Sequence, residues 1–192
     1  DKQLSSQARD NVRLYIENIR PTSLGLTKQW LQLIENKTRQ ALQAVGYYNP
    51  EIKISATTKE HETIVSLTII QGAPTLISQF NLQIGGTGQQ DEDFIAAQLN
   101  SPLALGDKLH HGQYQSLKNT FLSIALTKGY FDAKWQLSEV KVNQLTNSAV
   151  INLLFHTGPR YQFGDIYFNE PTPAKDLILS MRTFSTTEPY HS

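Results

Sequence analysis

The sequence predicts an α+β fold built from successive repeats, each with two helices followed by two strands. Two observations predict it. Gln40–Ser55 (QALQAVGYYNPEIKIS) and Phe121–Ser138 (FLSIALTKGYFDAKWQLS) both read as helix, glycine, two aromatic residues and strand, at domain-sized spacing. After each copy and one further strand comes a junction with glycine and proline, QGAPT at 71–75 and TGPRY at 157–161. We therefore expect an array of small domains rather than thin solenoid turns.

The first repeat shows helices and strands but no strand before its helices. Apolar residues recur at helical spacing in the first helix, which Pro21 and Gly25 end, and Gly46 is expected to cap the second helix. Strict alternation then predicts two strands. The expected segments are helices at 4–19 and 28–45 and strands at 52–58 and 63–70.

The second repeat has the complete order of strand, helix, helix, strand and strand. Pro102 and Gly106 separate its helices, and Gly129 is expected to cap the second of them. The expected segments are a strand at 76–84, helices at 91–100 and 113–128, and strands at 133–142 and 148–156. A third repeat begins with an expected strand over 157–168 and a short helix over 174–181. The predicted domains are thus 1–73, 74–157 and 158–192.

Composition excludes several classes of protein. Lys and Arg together number 17, as do Asp and Glu, so the formal net charge is zero and a general nucleic-acid binder is not expected. The chain has no cysteine, which removes disulfides and thiolate metal sites. No signal peptide begins it, so we expect a cytosolic protein or a mature or trimmed fragment.

No motif in the chain predicts catalysis, a cofactor or a metal. The GGTGQQ loop at 85–90 lacks both the dinucleotide fingerprint and the phosphate-binding GK[ST] pattern. His110 and His111 are adjacent, so on a regular element their side chains diverge. The acids Asp91, Glu92 and Asp93 fit the first turn of a helix, where the helix dipole favours them. We therefore predict a protein that is not an enzyme and has no cofactor.

The repeat resembles the POTRA domain, a periplasmic module that precedes outer-membrane β-barrels. The order β-α-α-β-β and the motifs ALQAVGYYNP (41–50), KGYFD (128–132) and GPRYQFGDIYF (158–168) are similar to the first, second and third POTRA domains of TamA-like outer-membrane proteins. The resemblance implies tandem POTRA domains, each with two helices packed on a three-stranded mixed sheet. It also implies that the first repeat lacks its opening strand.

The repeated motif itself is expected to be structural. Gly46 and Gly129 reverse the chain out of a helix at positive φ, where a Cβ would cost free energy. The following aromatic pairs would then pack between the helix end and the sheet. These pairs are Tyr47–Tyr48 and Tyr130–Phe131.

The resemblance also implies that the strand after the second helix lies at the edge of each sheet. Such an edge can accept an extended chain by backbone pairing, which suits a module that handles many substrates. Charged residues such as Lys53 and Lys141 could equally blunt the edge, and this alternative stays open. The candidate binding residues are Ile52, Lys53 and Ile54 in the first repeat and Ala133, Lys134, Trp135, Gln136 and Leu137 in the second.

The implied function is that of a POTRA arm at the periplasmic face of the outer membrane. It would act in the insertion of outer-membrane proteins and autotransporters. Its implied partners are a TamB-like inner-membrane-anchored protein, unfolded outer-membrane proteins and its own C-terminal β-barrel. Two alternatives remain: the arm of a BamA-type or two-partner secretion barrel, and a POTRA-like scaffold module of a cell-division protein.

Overall fold

The computed structural model describes residues 4–20, 27–59, 62–168 and 175–191. Most of its helices and strands lie where the sequence predicts them. No helix among these residues is both long and apolar enough to cross a membrane. The elements in chain order are α1 (Ser6–Ile16), α2 (Lys28–Ala44), β1 (Glu51–Lys59), β2 (Glu62–Ile70), β3 (Leu76–Gly85), α3 (Glu92–Leu99), α4 (His111–Thr127), β4 (Lys134–Asn143), β5 (Ser148–His156) and α5 (Lys175–Ser180).

The fold is α+β, as predicted, and the chain forms two compact units. One unit comprises Asp1–Phe80, Pro102–Gln115 and Val140–Ile151. The other comprises Asn81–Ser101, Ser116–Glu139 and Asn152–Ser192. The first unit therefore contains the first repeat together with the 74–80, 102–115 and 140–151 segments of the second repeat.

Two capped helices and a hairpin form the first repeat. Ser5 caps α1 by accepting from the Ala8 amide, and Thr27 caps α2 by accepting from the Trp30 amide. Apolar residues at helical spacing place one stripe of each helix in a shared core. The buried members of this core are Ala8, Val12, Ala41, Leu42, Val45 and Tyr47.

The hairpin of the first repeat is a two-stranded antiparallel sheet of β1 and β2. Its register runs from the pair Glu51–Ile70 to the pair Lys59–Glu62. Ile52 and Ile69 face each other across the strands and pack against the helical core. Alternation therefore gives this sheet one covered face and one open face.

The second repeat contains a three-stranded mixed sheet in the order β3-β5-β4. The Leu76 amide donates to the Asn147 carbonyl (2.9 Å) and the Thr157 amide to the Gly85 carbonyl (2.9 Å), so β3 and β5 run parallel. The turn at 144–147 joins β4 to β5. Alternate residues of β5 are buried, as expected for the middle strand of a sheet with one covered face.

Aromatic side chains dominate the core of the second unit. The Phe94 ring lies 5.7 Å from the Phe121 ring and 5.5 Å from the Phe155 ring, measured between centroids. All three side chains are fully buried. Trp135 adds a fourth ring, 5.4 Å from Phe121 and 4.9 Å from Phe155. These contacts tie α3, α4, β4 and β5 together.

The expected strand over 157–168 is wrong as a continuous element. Within that segment, Gln162 alone forms an antiparallel bridge, with Pro189. Pairing goes no further because the partner segment turns at once: the Glu188 amide donates to the Ser185 carbonyl (3.2 Å). The expected helix over 174–181 is present as α5, and residue 174 lies outside the described residues.

Candidate protein-binding surface

The structure places β4 at an edge of the three-stranded sheet. Lys134 and Gln136 are exposed on this strand. Trp135 instead turns inward, and its indole N–H donates to the Lys118 carbonyl at 3.4 Å. Ala133 precedes the strand, and its amide donates to the Tyr130 carbonyl at 3.1 Å. The accessible side chains of the predicted site are therefore Lys134, Gln136 and Leu137.

An irregularity in β4 brings Leu137 to the open face of the sheet. In a regular strand Trp135 and Glu139 would share a face, because four residues separate them. Trp135 contacts the covered aromatic core, whereas Glu139 accepts a hydrogen bond from the Asn152 side chain (3.3 Å). Asn152 lies on the open side of β5, between the buried residues Ile151 and Leu153. The strand thus changes face between 135 and 139, as a β-bulge does.

Polar side chains cross the open face beside Leu137. The Asn81 side chain donates to Asn152 at 2.8 Å, which extends the Asn152–Glu139 contact to all three strands. Leu137 is 44% exposed. It lines a depression of about 190 Å³ with Leu154 and these polar residues. No sequence pattern predicts this depression, because it depends on the bulge and on strand order.

The candidate residues of the first repeat lie on β1, in a different sheet. Lys53 is exposed on the open face, while Ile52 and Ile54 are half-buried on the face toward the helices. Because β1 pairs with β2 on one side, only its other side is an edge. Strand addition there would use the backbone of β1 and, among these three side chains, Lys53.

The first repeated motif lies where the first repeat meets the 102–115 segment. Gly46 has φ +87°, and its carbonyl accepts from the Thr75 amide at 2.8 Å. Tyr47 is buried in the first core. The Tyr48 hydroxyl is hydrogen-bonded to His111 Nε2, and burial raises the pKa of Tyr48. The two aromatic residues therefore have different surroundings.

The second repeated motif occupies the end of α4. Gly129 has φ +81°, and Tyr130 is buried. Phe131 is 46% exposed and contacts two aromatic rings of the C-terminal segment, Tyr161 at 5.4 Å and Tyr190 at 4.9 Å. These contacts place the C-terminal segment against the helix end.

A charged cluster joins the start of α3 to the end of α4. Lys128 Nζ lies 2.7 Å from Asp91 Oδ1 and 2.7 Å from Asp93 Oδ2. Asp91 also caps α3 by accepting from the Asp93 amide, in line with the expected capping role of these acids. Burial acts to raise the pKa of Asp91, but the hydrogen bonds and charge of Lys128 outweigh it and hold that pKa below its usual value. The cluster therefore holds the start of α3 against the end of α4.

The adjacent histidines are half-buried at the start of α4. His110 Nε2 is 3.0 Å from the Gln7 side-chain nitrogen, and His111 contacts Tyr48. Burial lowers the pKa of both histidines, with further lowering from Lys108 at His110 and from His110 at His111. Within the described ranges, no group of three or more His, Asp or Glu residues could hold a metal ion.

An open groove of about 740 Å³ runs between α1 and the start of α4. Its apolar part includes Leu14, 65% exposed, and Tyr15, 40% exposed. The groove is lined by Ser6, Gln7, Asp10, Asn11, Leu14, Tyr15, Ala44, Val45, His110, His111 and Gly112. Apolar residues at helical spacing predict α1 but do not by themselves indicate this surface.

Comparison with known proteins finds a family match for the first repeat. Residues 3–70 match the family model described as POTRA domain, TamA domain 1. Among solved structures, POTRA domains 3–5 of BamA from Haemophilus influenzae show 16% identity and a TM-score of 0.49, and the match covers 100% of this chain and 76% of that chain. POTRA domains 1–3 of Omp85 from Anabaena show 18% identity and a TM-score of 0.39, with 80% and 55% covered. The chain thus spans about half the length of that Anabaena fragment.

Proposed function

Because residues 3–70 match the family model of the first TamA POTRA domain, we propose that the chain is part of a periplasmic arm that acts in outer-membrane protein assembly. The arm binds partner or substrate chains and performs no chemistry of its own. The family match of the first repeat supports this proposal, together with the repetition of the glycine–aromatic motif in the second.

The proposal divides the chain into successive POTRA repeats at 1–73, 74–157 and 158–192. In the parent protein the arm precedes an outer-membrane β-barrel and reaches toward a TamB-like protein anchored in the inner membrane. Its substrates are unfolded outer-membrane proteins, including autotransporters. These assignments follow from the resemblance of the three motifs.

One observation supports the binding role most directly: β4 is an edge strand with exposed Lys134 and Gln136. An extended substrate chain can pair with its backbone and thereby extend the sheet. Backbone pairing reads little side-chain detail, so one edge can serve many substrates. Leu137 then lies on the same strand as an apolar neighbour for side chains of the added strand.

Site-specific photocrosslinking tests this proposal. A photoreactive amino acid replaces Lys134 on β4, Lys53 on β1 or the exposed Thr120 on α4, and the chain is mixed with a urea-unfolded outer-membrane barrel protein. We expect crosslinks from the strand positions and much weaker ones from Thr120. Equal yields at all three positions, or none, would contradict binding at the edges.

A matched pair of substitutions distinguishes edge pairing from non-specific hydrophobic adsorption. Leu137→Lys places a charge on the edge strand, where charges oppose strand addition, and should reduce crosslinking from position 134. Leu99→Lys makes the same change at a side chain that is 80% exposed on α3 and should leave the yield unchanged. A similar loss in both variants would indicate non-specific hydrophobic adsorption.

A further inference from the structure

The C-terminal segment contacts the end of α4 through a set of hydrogen bonds that also occurs at the end of α2. We define the first clamp as Gly46 with residues 75–77 and 104–109. The second clamp is Gly129 with residues 161–163 and 185–190. Each clamp lies inside one compact unit.

The bonds of the first clamp connect a helix end, a junction strand and a loop. They are Thr75 N to Gly46 O (2.8 Å), Leu109 N to Thr75 O (2.9 Å), Ile77 N to Asp107 O (2.8 Å), Gly106 N to Ile77 O (2.8 Å), Asp107 N to Ala104 O (3.1 Å) and Ala104 N to Asp107 Oδ2 (2.9 Å).

The second clamp repeats every one of these bonds. They are Tyr161 N to Gly129 O (2.8 Å), Tyr190 N to Tyr161 O (3.0 Å), Phe163 N to Glu188 O (2.9 Å), Thr187 N to Phe163 O (2.8 Å), Glu188 N to Ser185 O (3.2 Å) and Ser185 N to Glu188 Oε2 (2.7 Å). The antiparallel bridges agree as well: Leu76 with Lys108, and Gln162 with Pro189.

The conformations and close contacts recur with the bonds. Gly106 has φ +87°, and Thr187 at the equivalent position has φ +69°, which a β-branched residue rarely adopts. A Cβ on Gly46 would collide with the Leu109 carbonyl, and one on Gly129 would lie 2.6 Å from Tyr190 Cβ. In both clamps the loop therefore touches the glycine at the helix end.

A cation also lies over the tyrosine that follows each glycine. Lys108 Nζ is 5.1 Å from the centre of the Tyr47 ring, and the Arg160 guanidinium carbon is 5.9 Å from the centre of the Tyr130 ring. Lys108 belongs to the loop of the first clamp, whereas Arg160 directly precedes the second clamp. Different residues thus make the same cation–tyrosine contact in the two clamps. The clamps therefore share a geometry and not a sequence.

We infer that the glycine–tyrosine helix end of each repeat is a docking surface for a loop of the following repeat, and that residues 161–163 and 185–190 occupy this surface on the second repeat. The loop has two recurring features. An acidic side chain accepts from an amide three positions before it, and the residue two positions after it contacts the helix-end glycine, through its carbonyl in the first clamp and its side chain in the second. Asp107 and Leu109 fill these roles in the first clamp, and Glu188 and Tyr190 fill them in the second.

This inference goes beyond the proposed function, because it holds whatever the arm binds. Sequence comparison of the two loops does not suggest it. ALGDKL at 104–109 and STTEPY at 185–190 share only an acidic residue at one position. Backbone hydrogen bonds carry most of the docking, and backbone groups are the same in every residue except proline.

Engineered disulfides test the docking in the full chain, which has no cysteine of its own. In both clamps the bridge partners form the non-hydrogen-bonded type of antiparallel pair, whose Cα atoms lie about 4.5 Å apart, within reach of a disulfide. The reference pair is Leu76→Cys with Lys108→Cys, and the test pair is Gln162→Cys with Pro189→Cys. The control pair is Gln162→Cys with His191→Cys, displaced by about 7 Å along the chain.

Under mild oxidation, followed by mass spectrometry, we expect the test pair to close about as fast as the reference pair. The control pair should close about tenfold more slowly, because its Cα atoms exceed the usual disulfide separation. A test pair that closes no faster than its control would overturn the inference for the second repeat.

A second measurement does not require cysteine. Asp107→Ala and Glu188→Ala each remove the side-chain acceptor of one loop. Amide hydrogen exchange should accelerate at Leu109 in the first variant and at Tyr190 in the second. If Glu188→Ala left exchange at Tyr190 unchanged while Asp107→Ala accelerated it at Leu109, the two clamps would not be equivalent.

Discussion

At the scale of single residues, glycine is required at the helix ends for two separate reasons. Gly46 adopts a positive φ, which side chains with a Cβ disfavour. It also lies so close to the Leu109 carbonyl that a Cβ would overlap it. Gly106 has the same φ of +87° but no atom within 4 Å of a built Cβ. Comparing substitutions at these two glycines therefore distinguishes the cost of a positive φ from the cost of steric overlap.

Gly46→Ala should destabilise the protein more than Gly106→Ala. A left-handed conformation costs an alanine about 1–2 kcal/mol, and both variants incur this cost. Only Gly46→Ala also has to displace the docked loop, which should bring its loss of unfolding free energy to about 3 kcal/mol or more. Urea unfolding monitored by circular dichroism measures both. Equal losses would mean that the loop moves aside freely.

At the scale of secondary-structure elements, one polar contact holds α3 against the end of α4. Asp91 caps α3 and pairs with Lys128, which directly precedes Gly129. The side chain of Asp91 is only 9% exposed, so this pair is less screened by solvent than the Glu35–Arg39 pair on the surface of α2. The same residue therefore starts one helix and fixes the end of another.

Asp91→Asn should reduce stability at neutral pH and have little effect in acid. Asparagine can still cap α3, so the variant removes mainly the charge, at an expected cost of about 1 kcal/mol. Because the folded pKa of Asp91 is lowered, its contribution is present above the ordinary pKa of about 4 and is lost as the pH falls through the folded value. Urea unfolding should therefore show a smaller difference in unfolding free energy between variant and parent near pH 3 than at pH 7.

The surface pair provides the control for that experiment. Glu35→Gln breaks the Glu35–Arg39 contact, in which both side chains are more than one-third exposed, and should cost about 0.5 kcal/mol or less. An equal cost for both variants would show that Asp91 gains nothing from its partial burial.

At the scale of the whole molecule, the junctions are packed rather than loosely tethered. The QGAP linker leads into Thr75, which is fully buried, and Thr157 before the second junction is fully buried too. Short linkers already leave few free torsions. The clamps add hydrogen bonds on both sides of each linker. Neighbouring segments should therefore depend on each other for local stability.

A chain that ends at Thr157 should show local loosening at the end of α4. Removing residues 158–192 takes away the Tyr161 and Tyr190 contacts of Phe131 and the bond from Arg160 to the Lys128 carbonyl. Amide exchange should accelerate over 125–133 and stay unchanged in β1 and β2. Unchanged exchange over 125–133 would show that the C-terminal segment contributes nothing to the stability of this helix end.

Local sequence patterns predicted the repeat, the types of nearly all elements and the helix-end glycines. Those features depend on local rules: apolar periodicity distinguishes helix from strand, and a glycine after a helix marks a left-handed cap. The local rules also located β4, whereas its position at a sheet edge was implied by the resemblance. They placed a strand over 157–168, where the partner segment turns at 185–188 and only one bridge forms.

The folded chain alone defines the contacts made through the backbone or between distant segments. It turned Trp135 inward and Leu137 outward through an irregularity in β4. It also brought Asp107 and Glu188 into equivalent positions in two loops of unlike sequence. Such contacts leave no pattern in the sequence, because the amides and carbonyls that make them are common to almost every residue and their partners lie far apart along the chain.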